Sequence, residues 1–453
     1  MQPSGHLRAD DRGHLWVEDC DTVELAERFG TPLYVISESQ VRGSYRALHG
    51  AFASRYPDVV LAYGIKANNN LAVVRILAQE GAGADCFGPG ELEVARRAGV
   101  APGKTVLNGS DKWDPELEQA VQLGVTVNVD NLEELERLGD VAERLGRRAR
   151  INLRLKLPLR ALEKHYIQDY RYVPPRISLA AWARGHKFGM ELEEAEEAGK
   201  RALRDERLQL AGLHYHLKGQ TPQVEHFAAM VCELVDAAAR LATRLDWVPE
   251  QLDLGGGFSY GRAEGYGPGA RDREVPTPDH YAEAMIGALR EGLEHHGLPE
   301  PRLMLEPGRL LVAAAGLLLA RVGTVKRSEA GRWVHVDAST NHLLRVRTGN
   351  WYYHMLLANR VANVDEERVD VVGGTCDAAD ILGRDRRLPR ARRGDLLAVL
   401  DVGAYAESTT CQFNTQPRPA TVLVRGADAE LITRRESVQD VIGRYCLPSR
   451  LVD

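Results

Sequence analysis

The 453-residue sequence has only six cysteines, and their spacing argues against the sites that cysteines usually build. They are scattered along the chain, without a CxxC pair and without a Cys/His cluster at zinc spacing. A disulfide-stabilised secreted scaffold is therefore disfavoured. We expect most of these cysteines to be small core residues or inert surface thiols.

The sequence also lacks a long apolar run, a signal peptide and an excess of positive charge. No run approaches the roughly 20 apolar residues that span a bilayer, and the N-terminal stretch MQPSGHLRADDRGH is polar. The formal net charge of −6 argues against nucleic acid or an anionic membrane as the main partner. We therefore expect a cytoplasmic protein.

Short apolar runs alternate with amphipathic stretches through the first two thirds of the chain, which is long enough for at least two domains. Eight such runs are predicted to be strands: residues 59–66, 81–86, 104–109, 126–131, 150–156, 210–219, 251–258 and 303–309. Eight strands alternating with helices over about 250 residues predict a (β/α)8 TIM barrel. A doubly wound open sheet is the structural alternative.

The pattern changes after about residue 318, where strand-like runs and turn residues replace helical periodicity. This texture predicts a second, β-rich domain, to which the opening segment could add a strand. We expect residues 37–318 to form the barrel, and residues 1–36 with 319–453 to form the β-rich domain.

Two irregular segments interrupt the predicted barrel. Residues 157–190 are broken by prolines, and residues 259–278 are rich in glycine and proline. Because long loops after barrel strands lie at the face where active sites are built, both are candidate walls or lids of a site. A disordered surface insertion is an equal alternative for the second.

The stretch LAYGIKANNN places Lys66 where an apolar strand stops. An ammonium group is costly to bury without a partner, and a lysine extending to solvent at a strand edge is the ordinary explanation. The other strand ends make a different explanation possible. They carry Asp85, the pair His214 and His216, and Glu306.

The ends of the last two predicted strands have the features of a phosphate site. Gly255–Gly257 would let backbone N–H groups approach a ligand, although a glycine-rich turn is more often only a turn. Arg309, beside Gly308, adds a planar charged donor. TIM barrels often bind phosphate at these two loops. A phosphate site, an amine and an acid together suggest pyridoxal phosphate (PLP).

The chain resembles the fold-type III PLP-dependent decarboxylases, which include diaminopimelate, ornithine and biosynthetic arginine decarboxylases. The resemblance rests on six motifs in the family's order: YGIKAN, GLHYHLKGQ, LDLGGGF, EPGR, TCDAADILGRDRRLP, and GAYAESTTCQFNTQPRPATVLV. It implies a TIM barrel of the alanine racemase type with a β-rich domain. The implied reaction converts a diamino acid or a related polar amino acid, similar to diaminopimelate, D- or L-ornithine or lysine, to the amine and CO2.

The resemblance also implies roles for individual residues. Lys66 would form the Schiff base with the cofactor, His216 would stack on its ring, and Glu306 would pair with the pyridine nitrogen. Asp85 would lie close to the ring, and the remaining cofactor-binding residues would hold the phosphate: Gly255, Gly256, Gly257, Gly308, Arg309 and Tyr405.

Residues of the C-terminal part are implied to complete the site. Cys376 would donate a proton to the carbon that loses CO2, since a thiol is labile near neutral pH. Asp377, Arg345 and Tyr405 would face the substrate. The resemblance implies a homodimer in which the Cys376 segment serves the partner subunit's site.

Four positions depart from the family's motifs. Lys218 and Gly219 stand where glycine and serine are usual, so a phosphate-binding hydroxyl is missing; Lys218 either compensates by charge or points to solvent. Asp377 matches ornithine rather than diaminopimelate enzymes, and Gln416 replaces a common arginine. Arg345 and Arg347 suggest an anionic group at the far end of the substrate, although we expect Arg347 to be an exposed loop residue.

Two alternatives to a decarboxylase remain at this point. A PLP-dependent racemase would share the architecture, but such enzymes commonly place an arginine where this chain has Glu306. A non-catalytic relative that only binds a partner would not need to retain Lys66, Arg309 and Cys376.

Overall fold

The computed structural model describes residues 5–168, 176–260, 275–329, 331–349, 351–361 and 366–452. Most of the predicted loop 259–278 and part of the segment 157–190 therefore lie outside the described residues. The backbone divides into two compact units. One contains Ser44–Ser259 and Val275–Leu310, and the other contains the described residues up to Gly43, Tyr260, and the described residues from Leu311 onward.

The strands of the described residues, in chain order, are β1 (Leu7–Ala9), β2 (Leu15–Val17), β3 (Cys20–Asp21), β4 (Leu33–Ser37), β5 (Val59–Gly64), β6 (Gly83–Phe87), β7 (Thr105–Asn108), β8 (Thr126–Val129), β9 (Ala149–Arg154), β10 (Tyr166–Gln168), β11 (Arg176–Ser178), β12 (Leu208–His214), β13 (Gln251–Asp253), β14 (Arg302–Leu305), β15 (Gly316–Ser328), β16 (Gly331–Val336), β17 (Met355–Leu357), β18 (Glu366–Val372), β19 (Ile381–Pro389), β20 (Leu396–Leu400), β21 (Ala420–Arg425) and β22 (Asp428–Thr433).

The α-helices, in chain order, are α1 (Thr22–Phe29), α2 (Glu38–Ala53), α3 (Leu71–Gln79), α4 (Pro89–Ala98), α5 (Asp114–Leu123), α6 (Leu132–Leu145), α7 (Leu179–Gly185), α8 (Leu192–Arg204), α9 (Val224–Leu245), α10 (Pro278–His296), α11 (Arg309–Val312), α12 (Leu344–Gly349) and α13 (Val438–Ile442).

The first unit is a closed barrel of eight parallel strands, β5–β9 followed by β12, β13 and β14. It closes where β14 pairs with β5, Leu303 lying opposite Val59. Each of the eight predicted strands coincides with one of these, so the TIM barrel is confirmed and the open sheet is excluded. The strands could be recognised because both of their faces are buried, which produces nearly continuous apolar runs.

Helices follow the barrel strands and end where the sequence signals a stop. Asn131 caps the start of α6 by accepting a hydrogen bond from the Glu134 backbone. Helices α5 and α6 are capped at their C-termini by Gly124 and Gly146, which have φ angles of 72° and 59°. Glycine adopts this left-handed conformation without steric cost, so the chain can turn from each helix toward the next strand.

The irregular segment after β9 has structure of its own in its described part. Strands β10 and β11 form an antiparallel pair, Ile167 lying opposite Ile177. Helix α7 follows directly, and its N-terminus is capped by Ser178, whose hydroxyl accepts from the Ala181 backbone. The segment is thus a small hairpin and helix inserted after the fifth barrel strand.

The second unit is built on a mixed sheet whose order is β19-β18-β16-β15-β4-β21-β22, with β20 pairing with both β15 and β17. The N-terminal strand β4 lies between β15 and β21. Alternate residues of β15 enter different hydrophobic clusters: Leu318 and Ala320 on one side, Leu317 and Leu319 on the other. Burial of both faces explains the unbroken apolar run at the start of β15.

None of the helices in the described ranges is long and apolar enough to cross a bilayer.

Candidate active site

Lys66 is not an unpartnered amine. Strand β5 ends at Gly64, and Lys66 lies in the short 3₁₀ turn that follows. Its Nζ forms an ion pair with Asp85, which ends up beside it because Gly64 and Asp85 are paired across β5 and β6. Asp85 is completely buried, whereas the Lys66 side chain is 39% exposed. Burial raises the pKa of Asp85, and the neighbouring Glu306 raises it further.

Glu306 follows β14 and is buried next to the Lys66–Asp85 pair. The Asn108 amide donates one hydrogen bond to Glu306, at 2.6 Å, and another to Asp85, at 2.8 Å. Nε2 of His214 lies 3.6 Å from Glu306 Oε1. Burial alone would raise the pKa of Glu306, but His214 and Lys66 outweigh it and hold this pKa below its ordinary value. Glu306 is therefore a buried carboxylate kept in its charged form.

Three buried asparagines form a ladder across adjacent barrel strands. Asn152 on β9 donates to Asn128 on β8 at 2.8 Å, and Asn128 donates to Asn108 on β7 at 3.0 Å. Asn108 then donates to the two carboxylates. Every amide points its NH₂ group in the same direction, toward Asp85 and Glu306.

A third carboxyl group lies close to Glu306. Asp253 ends β13, is completely buried, and accepts a hydrogen bond from the Gly255 backbone at 3.0 Å. One carboxylate oxygen of Asp253, one of Glu306 and one ring nitrogen of His214 all lie within 4.8 Å of one another. Burial, with the charge of Glu306, raises the pKa of Asp253 well above its ordinary value.

His216 contacts the glycine loop. Its Nδ1 accepts a hydrogen bond from the Gly256 backbone at 3.1 Å. Because a backbone N–H can only donate, Nδ1 carries no proton, and in the neutral ring the proton resides on Nε2. Burial lowers the pKa of His216 to about 3, so the ring is neutral at physiological pH.

The three glycines of the loop are required by close packing. A Cβ on Gly256 would clash with the Glu306 carbonyl oxygen, and one on Gly257 would clash with the carbonyl of Lys218. The N–H groups of Gly255 and Gly256 are already donated to Asp253 and His216. Gly257 is therefore the member of the loop whose N–H is the candidate ligand donor.

Lys218 folds back on its own turn. Its Nζ donates to the carbonyl oxygens of Gly219, at 3.1 Å, and Gln220, at 3.3 Å. Burial lowers the pKa of this amine. The side chain closes the turn that packs on Gly257, instead of extending into solvent.

Arg154 is a further charged residue at the barrel mouth. It is the last residue of β9 and is 5% exposed. Its Nε lies 3.8 Å from Asp130 Oδ1, and its Cζ lies 4.3 Å from the centre of the Phe188 ring. Burial lowers the pKa of its guanidinium. Gly308 and Arg309 lie at the mouth too, half-buried directly after β14 at the start of α11.

The C-terminal candidates lie in the second unit. Cys376 is exposed in the loop between β18 and β19. The loop is pinned by buried Asp380, which accepts hydrogen bonds from the Thr375 backbone and hydroxyl at 2.9 and 2.8 Å. A Cβ on Gly373 would lie against the same carboxylate, so glycine is needed there. The motif GGTCDAAD is thus the sequence of a fixed loop that presents the thiol.

Asp377, next to the thiol, is paired with Arg347. Nη1 of Arg347 lies 2.9 Å from Asp377 Oδ2, although the arginine side chain is 49% exposed. Arg345, on the same short helix α12, lies 5.0 Å from the centre of the Tyr405 ring. Its Nε is buried and has no hydrogen-bond partner within the described residues. Arg347 is thus exposed, as expected, but its guanidinium also contacts a specific carboxylate, that of Asp377.

The structure thus brings together two separate groups of predicted residues. The barrel unit assembles Lys66, Asp85, His216, Glu306 and the glycine loop, and the β-rich unit assembles Cys376, Asp377, Arg345 and Tyr405. Sequence reasoning missed Asn108, Asp253 and Arg154. All three lie at the C-terminal ends of barrel strands, the signal that identified Lys66.

The donor set of the barrel unit fits PLP. The cofactor needs an amine for its aldehyde, an anionic partner for a protonated ring nitrogen and donors for its phosphate. Lys66 is the amine, and Glu306 is a buried carboxylate held in its charged form. Gly257 and Arg309 are the candidate phosphate donors.

Comparison with known proteins agrees with this chemistry. Residues 42–313 match the model of the pyridoxal-dependent decarboxylase family, pyridoxal binding domain. The chain is 36% identical over 448 residues to the diaminopimelate decarboxylase of Methanothermobacter thermautotrophicus, covering 98% of this chain and 99% of that protein. The corresponding enzyme of Methanocaldococcus jannaschii is 34% identical over 448 residues, covering 97% of each chain.

Solved structures show the same similarity. The crystal structure of diaminopimelate decarboxylase from M. jannaschii in complex with L-lysine aligns with a TM-score of 0.90 and 31% identity, covering 100% of both chains.

Proposed function

The chain belongs to the pyridoxal-dependent decarboxylases and decarboxylates a diamino acid, and we propose that this diamino acid is diaminopimelate, with lysine as the product. The observation that carries the choice of substrate is the guanidinium of Arg345, whose Nε is buried without a hydrogen-bond partner among the described side chains. A buried donor in this state favours an acceptor supplied by a ligand.

The far end of diaminopimelate carries both a carboxylate and an ammonium group. Arg345 supplies a planar donor that matches a carboxylate, and Asp377 supplies an acceptor for an ammonium. Lysine and ornithine carry only the ammonium in their tails. As substrates they would leave the guanidinium of Arg345 unpaired.

The barrel residues are proposed to bind and polarise the cofactor. When bound, PLP supplies the electron sink that accepts the electron pair left on carbon as CO2 departs. Lys66 provides the amine for the aldehyde, and Glu306 provides the charge opposite the ring nitrogen. Neutral His216 offers an uncharged ring face. Gly257, Gly308, Arg309 and Tyr405 are proposed to hold the phosphate.

Cys376 is proposed to donate the proton that replaces the lost carboxylate. Its S–H bond breaks as a C–H bond forms, and the thiolate then takes a proton from water. Replacement of Cys376 by alanine should leave cofactor binding intact while lowering the yield of lysine. Wild-type rate and product from Cys376→Ala would refute this role.

We propose that the enzyme is a homodimer with shared active sites. Cys376 is exposed on the single chain, whereas a proton donor works best where water is excluded. The C-terminal segment also exposes large apolar side chains, among them Tyr445 at 66%, Leu447 at 70% and Leu451 at 56%, which favours burial against a second copy.

The dimer can be tested with two inactive variants. Lys66→Ala and Cys376→Ala should each form lysine at only a small fraction of the wild-type rate, whereas co-expression should restore about a quarter of that rate, because half of randomly paired chains form hybrids with one intact site. Absence of restoration, with both variants folded and dimeric, would show that the sites are not shared.

The substrate proposal is tested by measuring CO2 release. The panel is meso-diaminopimelate, both enantiomers of lysine, ornithine and arginine, and glutamate. We expect kcat/KM for diaminopimelate to exceed that of the other compounds by on the order of 10²-fold or more, because a missing carboxylate leaves a buried donor unpaired. A preference for ornithine or lysine would overturn the proposed substrate and leave the family assignment standing.

A further inference from the structure

The side chain of Asn414 contacts Cys376 at two points. The Cys376 backbone N–H donates to Asn414 Oδ1 at 3.0 Å. Asn414 Nδ2 in turn donates to Cys376 Sγ at 3.3 Å. One carboxamide therefore grips both the backbone and the thiol of the same residue.

The direction of these two bonds is fixed by chemistry. A backbone N–H can only donate, so the atom of Asn414 that faces it must be the oxygen. The NH₂ group then necessarily faces the sulfur. Asn414 thus presents a donor to Sγ, and the thiol's own hydrogen is directed elsewhere.

Asn414 lies on a strained but well-anchored turn. Its φ of 59° is left-handed, a conformation that asparagine tolerates better than most residues. Asn341 donates from Nδ2 to the Phe413 carbonyl at 2.9 Å and to Gln416 Oε1 at 3.0 Å. Gln416, where the family commonly has arginine, therefore serves as an anchor of this turn.

The loop that carries Cys376 is anchored independently by Asp380, which also accepts a hydrogen bond from the Thr340 backbone at 2.7 Å. Asn414 joins two segments that are each fixed by other contacts. Its contacts with Cys376 are therefore available to orient the thiol, beyond holding the loops in place.

We propose that Asn414 is a positioning residue for proton donation by Cys376, an inference that rests on the proposed role of that thiol. By donating to sulfur, the amide directs the S–H bond away from the loop and toward an incoming substrate. After the proton has been transferred, the same N–H stabilises the thiolate until water reprotonates it. Asn414 therefore acts on both protonation states of the sulfur.

The test is Asn414→Asp in the full-length holoenzyme. Aspartate is nearly isosteric and keeps the acceptor for the Cys376 backbone, but it replaces the donor to sulfur with a negative oxygen. Thr415→Ala, the next residue of the same turn, is the matched control. Iodoacetamide labelling followed by peptide mass spectrometry measures the reactivity of Cys376, with exposed Cys232 as the internal reference.

We expect labelling of Cys376 at neutral pH to slow by about tenfold in Asn414→Asp, since only the thiolate reacts and the carboxylate disfavours it. Labelling of Cys232 should not change, and Thr415→Ala should match wild type. Lysine formation should fall in Asn414→Asp, with PLP binding retained.

The outcomes separate this inference from the proposed function. If Cys376→Ala is impaired but Asn414→Asp labels and turns over like wild type, the role of Asn414 is wrong and that of Cys376 stands. If Cys376→Ala itself makes lysine at the wild-type rate, the proposed donor is wrong, and the role of Asn414 in proton donation is wrong with it.

Discussion

Replacement of Glu306 by glutamine removes one charge from the centre of the barrel and little else. In the wild type, Asn108 Nδ2 donates to Glu306 Oε1 at 2.6 Å. The glutamine oxygen can still accept this hydrogen bond, so the local packing is retained. What is lost is the buried negative charge proposed to face the cofactor's ring nitrogen. Glu306→Gln therefore isolates the electrostatic contribution of this residue.

The size of the effect follows from the burial of the carboxylate, which is 6% exposed. A hydrogen bond to a charged group contributes about 1.5–3 kcal/mol, so the Kd for PLP should rise by about 10- to 160-fold. Loss of one preorganised charge in a water-poor site should lower kcat by on the order of 10²-fold. The Glu306→Gln substitution should leave the fold intact, because burying a neutral amide costs less free energy than burying a carboxylate.

The assay is reconstitution of the apoprotein with PLP, followed by fluorescence, with CO2 release measured at saturating cofactor. Glu300→Gln is the control, because Glu300 is an exposed carboxylate 3.2 Å from Arg290 in the same unit. It should change neither quantity by more than about twofold. Wild-type affinity and kcat within threefold in Glu306→Gln would refute the assignment of the ring partner.

Three further changes test other parts of the structure. Arg347→Gln frees Asp377 to accept from the substrate's ammonium group and should raise kcat/KM for diaminopimelate by about two- to fivefold, a small change because the pair is half-exposed; an unchanged kcat/KM would contradict the role of the pair. Buried His342 has its pKa lowered to about 4 by burial, so its contribution to stability is present above pH 6.5 and is lost as the pH falls toward 4. Between pH 7 and 5 this residue should account for about 2 kcal/mol of lost unfolding free energy, and His342→Asn, measured by urea unfolding at both pH values, should lose that part of the acid sensitivity; equal sensitivity would contradict it. Lys112 and Glu134 form a buried ion pair at 2.7 Å, so Lys112→Met should destabilise the barrel by about 3–5 kcal/mol, whereas Lys112→Met with Glu134→Leu should be much closer to wild type in thermal unfolding; equal damage in both variants would contradict this account.

The barrel could be predicted from the sequence because its strands are buried on both faces and its helices carry clear stop signals. Lys66 could be found for the same reason, since a charged residue interrupts an otherwise apolar run. Its partner Asp85 also lay at a predicted strand end. The ordering of the strands around the barrel then determines that these two residues meet.

The remaining polar residues of the site were harder to predict. Asn108 touches Glu306 only because β14 closes on β5, which brings residues 198 positions apart into contact. The pairing of Arg347 with Asp377 joins a short helix to a loop, and neither element has a periodicity that fixes its geometry. The role of Asn414 could not be predicted from the sequence either, because it depends on the orientation of the side-chain amide toward Cys376.

The asparagine ladder places a row of amide dipoles with one fixed orientation inside the barrel. A carboxamide does not titrate, so the three amides keep the same charge and the same donor direction at every pH and supply no mobile proton of their own. Inverting Asn128 alone would place two donors face to face on one side and two acceptors on the other, so the polarity of the row is locked. The dipoles are already oriented when the strands pair, and no reorganisation is needed when charge changes at the carboxylates.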